Sequence, residues 1–346
     1  MVESQTGFHP SETKYNSVAV CGASRRCRVF GNMIRSFDWR DVGLVRNLGR
    51  KGVSLHSQAA LTRGTHTLQD ALRGYLAPVS RQATFVWRQN GAQRAFAQLQ
   101  TPARSGCARV RFLAPAGVGA DVVPRLDLLE KLAYEAGARG NHFLVAEVDE
   151  MSPEFELFRQ AGFAVYARQE IVCRSTLSES NPVDLPLRHR QKTDILGVQL
   201  LYHNIVPPLV QQVEPSPLES NNGYVLRHEG EVVTYLHVQR GPRGVWVQPY
   251  LHPEAHTVIG AVLAAFLSLE VKRSRGPVYV CIRSYQYGLQ AALSENKFEP
   301  WGQQAVMVKR LGVSVKAATF RALPALDGTE GEIASPFTET SISLHN

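Results

Sequence analysis

Two groups of side chains in the sequence could transfer protons. Glu147 lies within the apolar stretch FLVAEV, where a carboxylate either faces solvent or faces inward with a raised pKa. His252, Glu254 and His256 follow the strand-like stretch VWVQPYL. A histidine there either accepts a proton near neutral pH or belongs to an ordinary exposed loop. Glu147, His252 and His256 are therefore candidate general bases, and without further ligands the two histidines do not predict a metal site.

Length and composition limit the classes of function. The chain has 346 residues and is 44% hydrophobic, enough for two domains of ordinary size. Its amino terminus lacks the features of a signal peptide, and its apolar runs are shorter than the ~20 residues of a bilayer span. The five cysteines are scattered without CxxC spacing, which favours reduced thiols. We therefore expect a cytoplasmic protein that does not enter a membrane.

The positive charge of the chain raises the question of an anionic partner. The formal net charge is +8 and the pI is about 9.4. The basic residues are dispersed, and the tightest clusters, SRRCR, RHRQK and VKRSR, are short. Aromatic residues do not alternate with them as they do on a platform that stacks nucleic-acid bases. The pattern is typical of a solvated surface, so nucleic-acid binding is the least favoured hypothesis.

The sequence repeats itself. FVWRQNG matches YVLRHEG at an offset of 139 residues, which pairs Phe85 with Tyr224. Further along the offset becomes 135, which pairs Val110 with Val245 and continues to the equivalence of Phe163 with Phe298. A register that continues through several strands and helices predicts a tandem duplication.

Composition also predicts the domain boundaries. The first residues are polar and lack periodicity, so Met33 is a candidate functional start, and STLSESNPVDLP has the composition of a linker. The predicted organisation is a loose extension, a first domain, a linker, a second domain and a polar tail, at 1–32, 33–174, 175–186, 187–320 and 321–346.

Each copy has the same predicted order of elements. A helix with an acidic residue in its first turn precedes a β-hairpin, a third strand, a long helix, a short apolar strand, a short helix and a last strand. The long helix can provide the right-handed crossover between two parallel strands. The fold class is therefore α/β (α+β). The predicted helices are at 41–48, 122–136 and 153–161 in the first copy and at 193–205, 256–272 and 288–296 in the second.

One stretch resembles a known family. In residues 128–171, a helix ending LFRQAGF is followed by a strand that contains Tyr166 and Arg168. Together with the order of elements, this resembles the LYxxxGFxxxxR signature of the GNAT superfamily of N-acetyltransferases. The second copy, ALSENKFEPWGQQAVMV, is a weaker match, because it keeps Phe298 but has Lys297 in place of the glycine.

The resemblance implies a fold and a chemistry. The fold would be two tandem GNAT-like units, each a mixed, mostly antiparallel sheet with a splayed central parallel pair and flanking helices. Acetyl-CoA would be the co-substrate, and an amine would attack its thioester directly in a ternary complex. Its pantetheine arm would pair with the backbone where the parallel strands separate, at Leu113 and Ala114 in the first copy and at Val247 and Gln248 in the second.

The phosphate-binding turn of that family is not matched. ADVVPRLD stands where the glycine-rich turn is expected, and LHPEAHT stands there in the second copy, both without glycine. Gly117 and Gly119 replace the turn if the loop is shifted, and they would then bind the pyrophosphate. The alternative is a plain glycine loop, in which Asp121 caps the helix and repels phosphate.

The tyrosine that protonates the thiolate in that family is also missing. Phe158 stands at its position in the first copy and Leu293 in the second. Tyr285 and Tyr287 precede the short helix of the second copy and either reach the same space or are rim aromatics.

Two hypotheses of function follow. The first is an N-acetyltransferase that acts on an unidentified small-molecule or peptide amine. The second is a catalytically degenerate GNAT-like module that binds a ligand or a partner. The sequence has no serine–histidine triad, Walker loop or dinucleotide fingerprint, so hydrolase, kinase and dehydrogenase functions have no support.

Overall fold

A computed structural model describes residues 34–77, 81–89, 94–102, 106–176, 185–217, 222–271, 273, 276–286 and 288–312. The predicted N-terminal extension, the polar tail, most of the predicted linker and Tyr287 lie outside these residues. We call the described parts of 34–176 the first half and those of 185–312 the second half.

The first half has the predicted order of elements, with two additional short strands and two additional helices before the hairpin. Its elements are β1 (Ile34–Ser36), α1 (Val42–Leu48), β2 (Val53–Ser54), α2 (Ser57–Arg63), α3 (Thr67–Leu76), β3 (Gln82–Arg88), β4 (Arg94–Gln100), β5 (Cys107–Ala114), α4 (Val122–Ala138), β6 (Phe143–Val148), α5 (Pro153–Gln160) and β7 (Ala164–Arg174).

The second half repeats this order with one helix, rather than two, between its first helix and the hairpin. Its elements are β8 (Arg188–His189), α6 (Ile195–Ile205), α7 (Pro208–Val213), β9 (Gly223–His228), β10 (Glu231–Gly241), β11 (Gly244–Leu251), α8 (Ile259–Val271), β12 (Val278–Arg283), α9 (Leu289–Glu295) and β13 (Glu299–Arg310).

The offset of 135 is wrong for the third strand. Leu99 of β4 lies opposite Val110, and the equivalent Val238 of β10 lies opposite Val247. Through this pairing Val110 corresponds to Val247, at an offset of 137, whereas the parallel pairings place Arg109 at the position of Val247, and neither pairs Val110 with Val245. The pairing of β4 with β5 contains a register shift that the pairing of β10 with β11 lacks, and such a local irregularity cannot be placed from sequence spacing.

The two halves exchange their last strands within one continuous sheet. Among the described strands the order is β1-β3-β4-β5-β6-β13-β7-β12-β11-β10-β9-β8, with β2 paired to β5. The last strand of the second half, β13, thus lies against β6 of the first, while β7 lies against β12 of the second. All described residues belong to one compact unit, because neither half completes its sheet alone.

The centre of the exchange is a pair of glutamines. Gln169 of β7 lies directly opposite Gln304 of β13, and its Nε2 donates to Gln304 Oε1 at 2.8 Å. These two residues are equivalent at the offset of 135. A local pseudo-twofold axis therefore passes between them, and equivalent elements of the two halves are disposed around it.

A buried ion pair ties the first helix to the sheet in the first half. Asp41 is fully buried, and its carboxylate accepts from Arg35 at 2.8 Å and forms a salt bridge with Arg88 at 2.8 Å. It also accepts the N–H of Asp38 at 3.0 Å. The start of α1 is thereby attached to the end of β3.

The second half repeats this ion pair. Asp194 is fully buried, accepts from Arg188 at 2.7 Å and from the N–H of Gln191 at 2.8 Å, and lies 3.6 Å from Arg227. The hydrogen bond from Arg188 is the main cause that lowers the pKa of Asp194 below its usual range. From sequence, both aspartates were recognised only as acidic residues in a first helical turn.

Two apolar cores lie where the helices pack on the sheet. Leu128, Leu132 and Phe158 of the first half are fully buried, and the rings of Phe158 and Phe163 pack edge to face at 4.9 Å. The equivalent core of the second half includes Val262, Leu263, Phe266 and Leu293. The LFRQAGF stretch is thus packing between helix and sheet, as its apolar spacing indicates.

One described helical segment, Pro253–Val271, is long and apolar enough to cross a membrane by length and composition alone. In this fold, Val262 and Phe266 of that segment are fully buried in the core of the second half. A core helix passes the same test, so the segment is weak evidence for a membrane span.

Replacing either buried aspartate should destabilise the fold. Asp41→Asn and Asp194→Asn remove the charge that holds two arginines, and each should lower the free energy of unfolding by about 1–3 kcal/mol. The arginines are partly exposed and regain water, which keeps the loss below that of a fully buried pair. Urea denaturation at pH 7 measures the loss.

The same experiment has a control and a pH dependence. Glu130→Gln on the exposed face of α4 should stay within about 0.5 kcal/mol of the native chain. Because the folded-state pKa of Asp194 is lowered, its contribution is complete above about pH 4 and is lost as the pH falls through the lower folded value. An Asp194→Asn protein with native stability at pH 7 would contradict this role.

Candidate functional site

The central parallel strands separate in both halves, as predicted. β5 and β6 pair only from Cys107–Phe143 to Arg109–Val145. β11 and β12 pair only from Val245–Val278 to Val247–Val280. We call the gap beyond the first pairing the first splay and the gap beyond the second pairing the second splay.

The first splay is filled by the chain itself. Val53 of β2 pairs with Leu113, the N–H of Leu55 donates to Arg111 O at 3.0 Å, and Leu55 O accepts the N–H of Glu147 at 3.0 Å. Residues 53–55 therefore bridge β5 and β6 as an inserted strand would. We call them the inserted segment.

The inserted segment contacts the residues predicted to bind the cofactor in the first copy. Leu113 pairs with the inserted segment, and Gly52 packs so closely on Ala114 that an added Cβ would lie 2.7 Å from the Ala114 Cβ. A pantetheine arm would need the same hydrogen-bonding positions. The role of Leu113 and Ala114 as cofactor contacts therefore stays a prediction.

Glu147 anchors the inserted segment. Its side chain faces inward and is 5% exposed, and Oε2 accepts the N–H of Ser57 at 2.6 Å. Oε1 lies 3.7 Å from Arg109 Nη1. Since both oxygens have partners and Ser57 begins α2, the role of Glu147 is to hold the start of that helix. Its use as a general base stays a prediction.

The glycine loop of the first half holds a carboxylate where a phosphate was expected. Glu154 is 3% exposed, and its Oε1 accepts the N–H of Gly117 at 2.7 Å and a hydrogen bond from Arg125 Nη1 at 3.1 Å. Gly119 has a left-handed φ of 84° and open space around it. Asp121 precedes α4, but its side chain makes no capping hydrogen bond. Glu154 from α5 thus takes the N–H of Gly117, and phosphate binding by Gly117 and Gly119 stays a prediction.

Among the described residues, the second splay contains less of the chain than the first. Val247 makes the last parallel pair with Val280, and Gln248 is the first residue of β11 beyond that pairing. The carboxamide of Gln286 spans the gap: it accepts the N–H of Arg283 at 2.9 Å and donates to Pro249 O. A single side chain, rather than a backbone segment, therefore joins the two strand edges.

A cleft opens beside the second splay. Its volume is about 330 Å³, and its lining includes His252, His256, Tyr285, Gln286 and Asn204. We call it the second-half cleft. It brings together two of the predicted general bases and one of the predicted tyrosines, whereas Glu147 of the first half lies elsewhere.

The two histidines are held differently. His252 precedes a short 3₁₀ turn, where Nδ1 accepts the N–H of Glu254 at 3.4 Å and lies 3.6 Å from its carboxylate. Glu254 itself is largely exposed and does not line the cleft. His256 lies beside Gly288, where an added Cβ would lie 3.4 Å from His256 Nδ1. Both imidazoles are half-buried.

A buried polar cluster near the cleft was missed from sequence. Glu214, which follows α7, accepts from Tyr166 of β7 at 2.5 Å and from Arg283 of β12 at 2.6 Å through one carboxylate oxygen. Its backbone carbonyl accepts the hydroxyl of Tyr202 at 2.6 Å. These residues come from four elements, so no local spacing pointed to them. The sequence had singled out only Tyr166, as part of the strand after LFRQAGF, and had indicated a helix around Tyr202.

Burial sets the protonation states near the cleft. Burial raises the pKa of Tyr285; Arg283 opposes this effect and Glu214 adds to it. Burial alone would lower the pKa of Arg283, but Glu214 raises it well above its usual range. At neutral pH the Tyr285 hydroxyl therefore keeps its proton, and Arg283 stays charged. Tyr285 can donate a proton and cannot act as a base.

Comparison with known proteins shows similarity in structure only. No protein-family model matches the sequence, and no curated protein matches it. A GCN5-related N-acetyltransferase from Sphaerobacter thermophilus is similar with a TM-score of 0.53 at 11% identity, over 82% of this chain and 97% of its own. A tandem GNAT protein from the clavulanic acid biosynthesis pathway is 16% identical over 82% of this chain and 99% of its own, with a TM-score of 0.49.

A GCN5-related N-acetyltransferase from Kribbella flavida covers 70% of this chain and 94% of its own, at 15% identity and a TM-score of 0.46. At these identities a likeness establishes architecture and not activity. With the splayed parallel strands and flanking helices described above, the first comparison shows that this chain has the fold of the GCN5-related N-acetyltransferases.

Proposed function

We propose that the protein is an N-acyltransferase that uses acyl-CoA, in the simplest case acetyl-CoA, to acylate an amine, and that only the second half performs the reaction. The observation that carries this proposal is the difference between the two splays. The inserted segment fills the first, whereas the second opens onto a cleft lined by His252, His256 and Tyr285.

The second splay fits a pantetheine arm on one condition. The carboxamide of Gln286 bonds to the facing edges of β11 and β12, which is how an amide of pantetheine would bond there. If Gln286 swings away, Pro249 O and the N–H of Arg283 become free for such an amide, beside Val247 and Gln248. The residues that would hold the arm are therefore backbone groups of β11, as the resemblance implies for this copy.

The cleft supplies an acid and a base. Bound acyl-CoA would supply the thioester on which the amine acts. Tyr285 is a protonated hydroxyl at the cleft and is suited to protonate the departing sulfur. His252 or His256 is suited to remove the proton of the ammonium. Tyr285 thereby takes the role that Phe158 and Leu293, both buried and apolar, cannot have.

A second candidate function has its own observation. Gln286 and Glu154 occupy positions where a cofactor amide and a cofactor phosphate would bind in the two halves. If Gln286 stays in place, the protein is a ligand-binding module with a GNAT fold. Acyl-CoA binding distinguishes the two functions.

The stoichiometry of acetyl-CoA binding tests the difference between the halves. Isothermal titration calorimetry of the full chain should give micromolar affinity with one site per chain, because the first splay is filled. Two sites would show that the inserted segment leaves the first splay. No heat and no thermal shift at millimolar acetyl-CoA would eliminate the acyltransferase proposal in favour of the binding module.

Removing the Tyr285 hydroxyl should slow the chemical step. We expect Tyr285→Phe to lower kcat about 100-fold with little change in KM for acetyl-CoA, measured by thiol release with a panel of amines. Because burial raises the pKa of Tyr285, the alkaline limb of the native pH–rate profile should lie above pH ~10.

The matched control is Tyr134→Phe on the exposed side of α4, which should leave kcat unchanged. An unaltered kcat in Tyr285→Phe, or a native alkaline limb near pH 8, would refute the role of this tyrosine as the acid.

A further inference from the structure

A second cavity lies between the two halves. Its volume is about 350 Å³, and its lining includes Glu170 of β7, Gln303 of β13 and Gln290 of α9. We call it the central cavity. Its walls also include Asp149–Met151, which follow β6, and Ser284 and Gln286 of the equivalent segment, which follows β12. The strand exchange thus brings two equivalent loops to opposite sides of one space.

The floor of the central cavity is a row of paired residues. Glu170 lies directly opposite Gln303 on β13 and opposite Ile282 on β12. Directly opposite residues of antiparallel strands place their side chains on the same face, about 5 Å apart at Cβ. The carboxylate of Glu170, the carboxamide of Gln303 and the apolar side chain of Ile282 therefore lie side by side.

Three polar side chains of this cavity are free for a ligand. Within the described part of the chain, the side chains of Glu170, Gln290 and Gln303 make no hydrogen bond and no ion pair. Arg168 neutralises Glu150 at 2.6 Å, whereas Asp149 forms no ion pair and accepts only the N–H of Met151 at 2.8 Å. The surplus charge of the cavity is negative, in a chain whose formal net charge is +8.

One short segment separates this cavity from the second-half cleft. Gln286 lines both spaces, Tyr285 lines the cleft and Ser284 lines the central cavity. The side chain that closes the second splay is therefore also the wall between the two spaces. If a cofactor displaced Gln286, the wall between the two spaces would open at this segment.

We infer that the central cavity binds the acceptor, and that the acceptor is a small hydrophilic amine, an inference that rests on the proposed function. Asp149 and Glu170 attract its ammonium. Gln290, Gln303 and the hydroxyl of Ser284 donate to and accept from its hydroxyl or amide groups. An apolar amine would leave these groups without partners and would bind weakly.

The reaction at the junction is balanced. The amine loses one proton to His252 or His256, and its nitrogen forms a bond to the acyl carbon. The carbon–sulfur bond would break, and the thiolate would take the proton of Tyr285, while the second proton that the nitrogen loses on becoming an amide would restore the Tyr285 hydroxyl. The amide and the free thiol of CoA are the products.

Binding without acetyl-CoA tests the cavity apart from the reaction. Calorimetry of the full chain with glucosamine and with spermidine should show binding of at least one of the two hydrophilic amines, and benzylamine should bind at least tenfold more weakly. Binding of glucosamine alone would indicate an acceptor that carries hydroxyl groups, and binding of spermidine alone would indicate a purely cationic acceptor. Equal binding of benzylamine, or no binding of either hydrophilic amine, would overturn the inference.

Matched variants locate the site. Glu170→Gln keeps the shape of the side chain and should weaken binding at least tenfold, whereas Gln303→Glu adds a carboxylate beside it and should strengthen binding. Glu156→Gln, an exposed carboxylate of α5 outside the cavity, should leave the affinity unchanged. In turnover, Glu170→Gln should raise KM for the amine about tenfold and leave kcat and KM for acetyl-CoA unchanged.

The outcomes separate the two proposals. Amine binding that Glu170→Gln weakens, without acetyl transfer, would support the cavity and contradict the proposed reaction. Acetyl transfer with an unchanged KM for the amine in Glu170→Gln would support the reaction and overturn the cavity as the acceptor site. A thermal unfolding temperature equal to that of the native chain shows that the effect of Glu170→Gln is not structural.

Discussion

The antiparallel pairing of β7 with β13 is the constraint on which the rest of the structure depends. Each strand ends one half of the chain and completes the sheet of the other. Backbone groups of a strand need partners, so neither half can satisfy its central strands without the other. The described chain is therefore one folding unit, although its two halves repeat one order of elements.

The exchange also explains why polar sites form between the halves. Tyr166 of the first half meets Glu214 and Arg283 of the second in a buried cluster beside the cleft. On the pseudo-twofold axis, the loops that follow β6 and β12 enclose the central cavity. Helix α2 of the first half packs against β10 and β11 of the second. Sites of this kind would not exist in two separate domains joined by a linker.

The halves share their framework and differ in their splays. Asp41 and Asp194 repeat one buried ion pair, which shows that the sheet and the first helix have the same construction. The first splay holds the inserted segment, which Glu147 anchors through Ser57. The second splay holds only the side chain of Gln286. Replacing a backbone segment costs several hydrogen bonds, whereas moving one carboxamide costs two, so the second splay opens more readily.

Much of the fold was predictable from the sequence because local periodicity reports local structure. The long helices and the hairpins follow from apolar spacing and from the order of elements, whereas the splayed parallel pair was implied by the resemblance to the GNAT superfamily. The strand exchange cannot be predicted in this way. The apolar pattern of β7 and β13 is the same whether each strand pairs within its own half or with the other half. Periodicity records which face of a strand is buried, but not which strand lies beside it.

The site was less predictable for the same reason. An apolar strand that contains one carboxylate is compatible with a general base or with an anchor. For Glu147, the hydrogen bond from the N–H of Ser57 favours the anchor, and the sequence does not show that contact. The inserted segment has no sequence pattern, since β2 has only two residues and its partners lie some 60 to 90 residues away. His252, His256 and Tyr285 were found because they lie close to strand ends, where sheets of this kind bind ligands.

The central claim is that the first splay is filled by the chain and the second is the one that opens. A crystal structure of the full chain grown with acetyl-CoA tests it most directly. The account predicts cofactor density between β11 and β12, with Gln286 displaced and Leu55 still bonded to Arg111 and Glu147. Density between β5 and β6, with the inserted segment expelled, would contradict it.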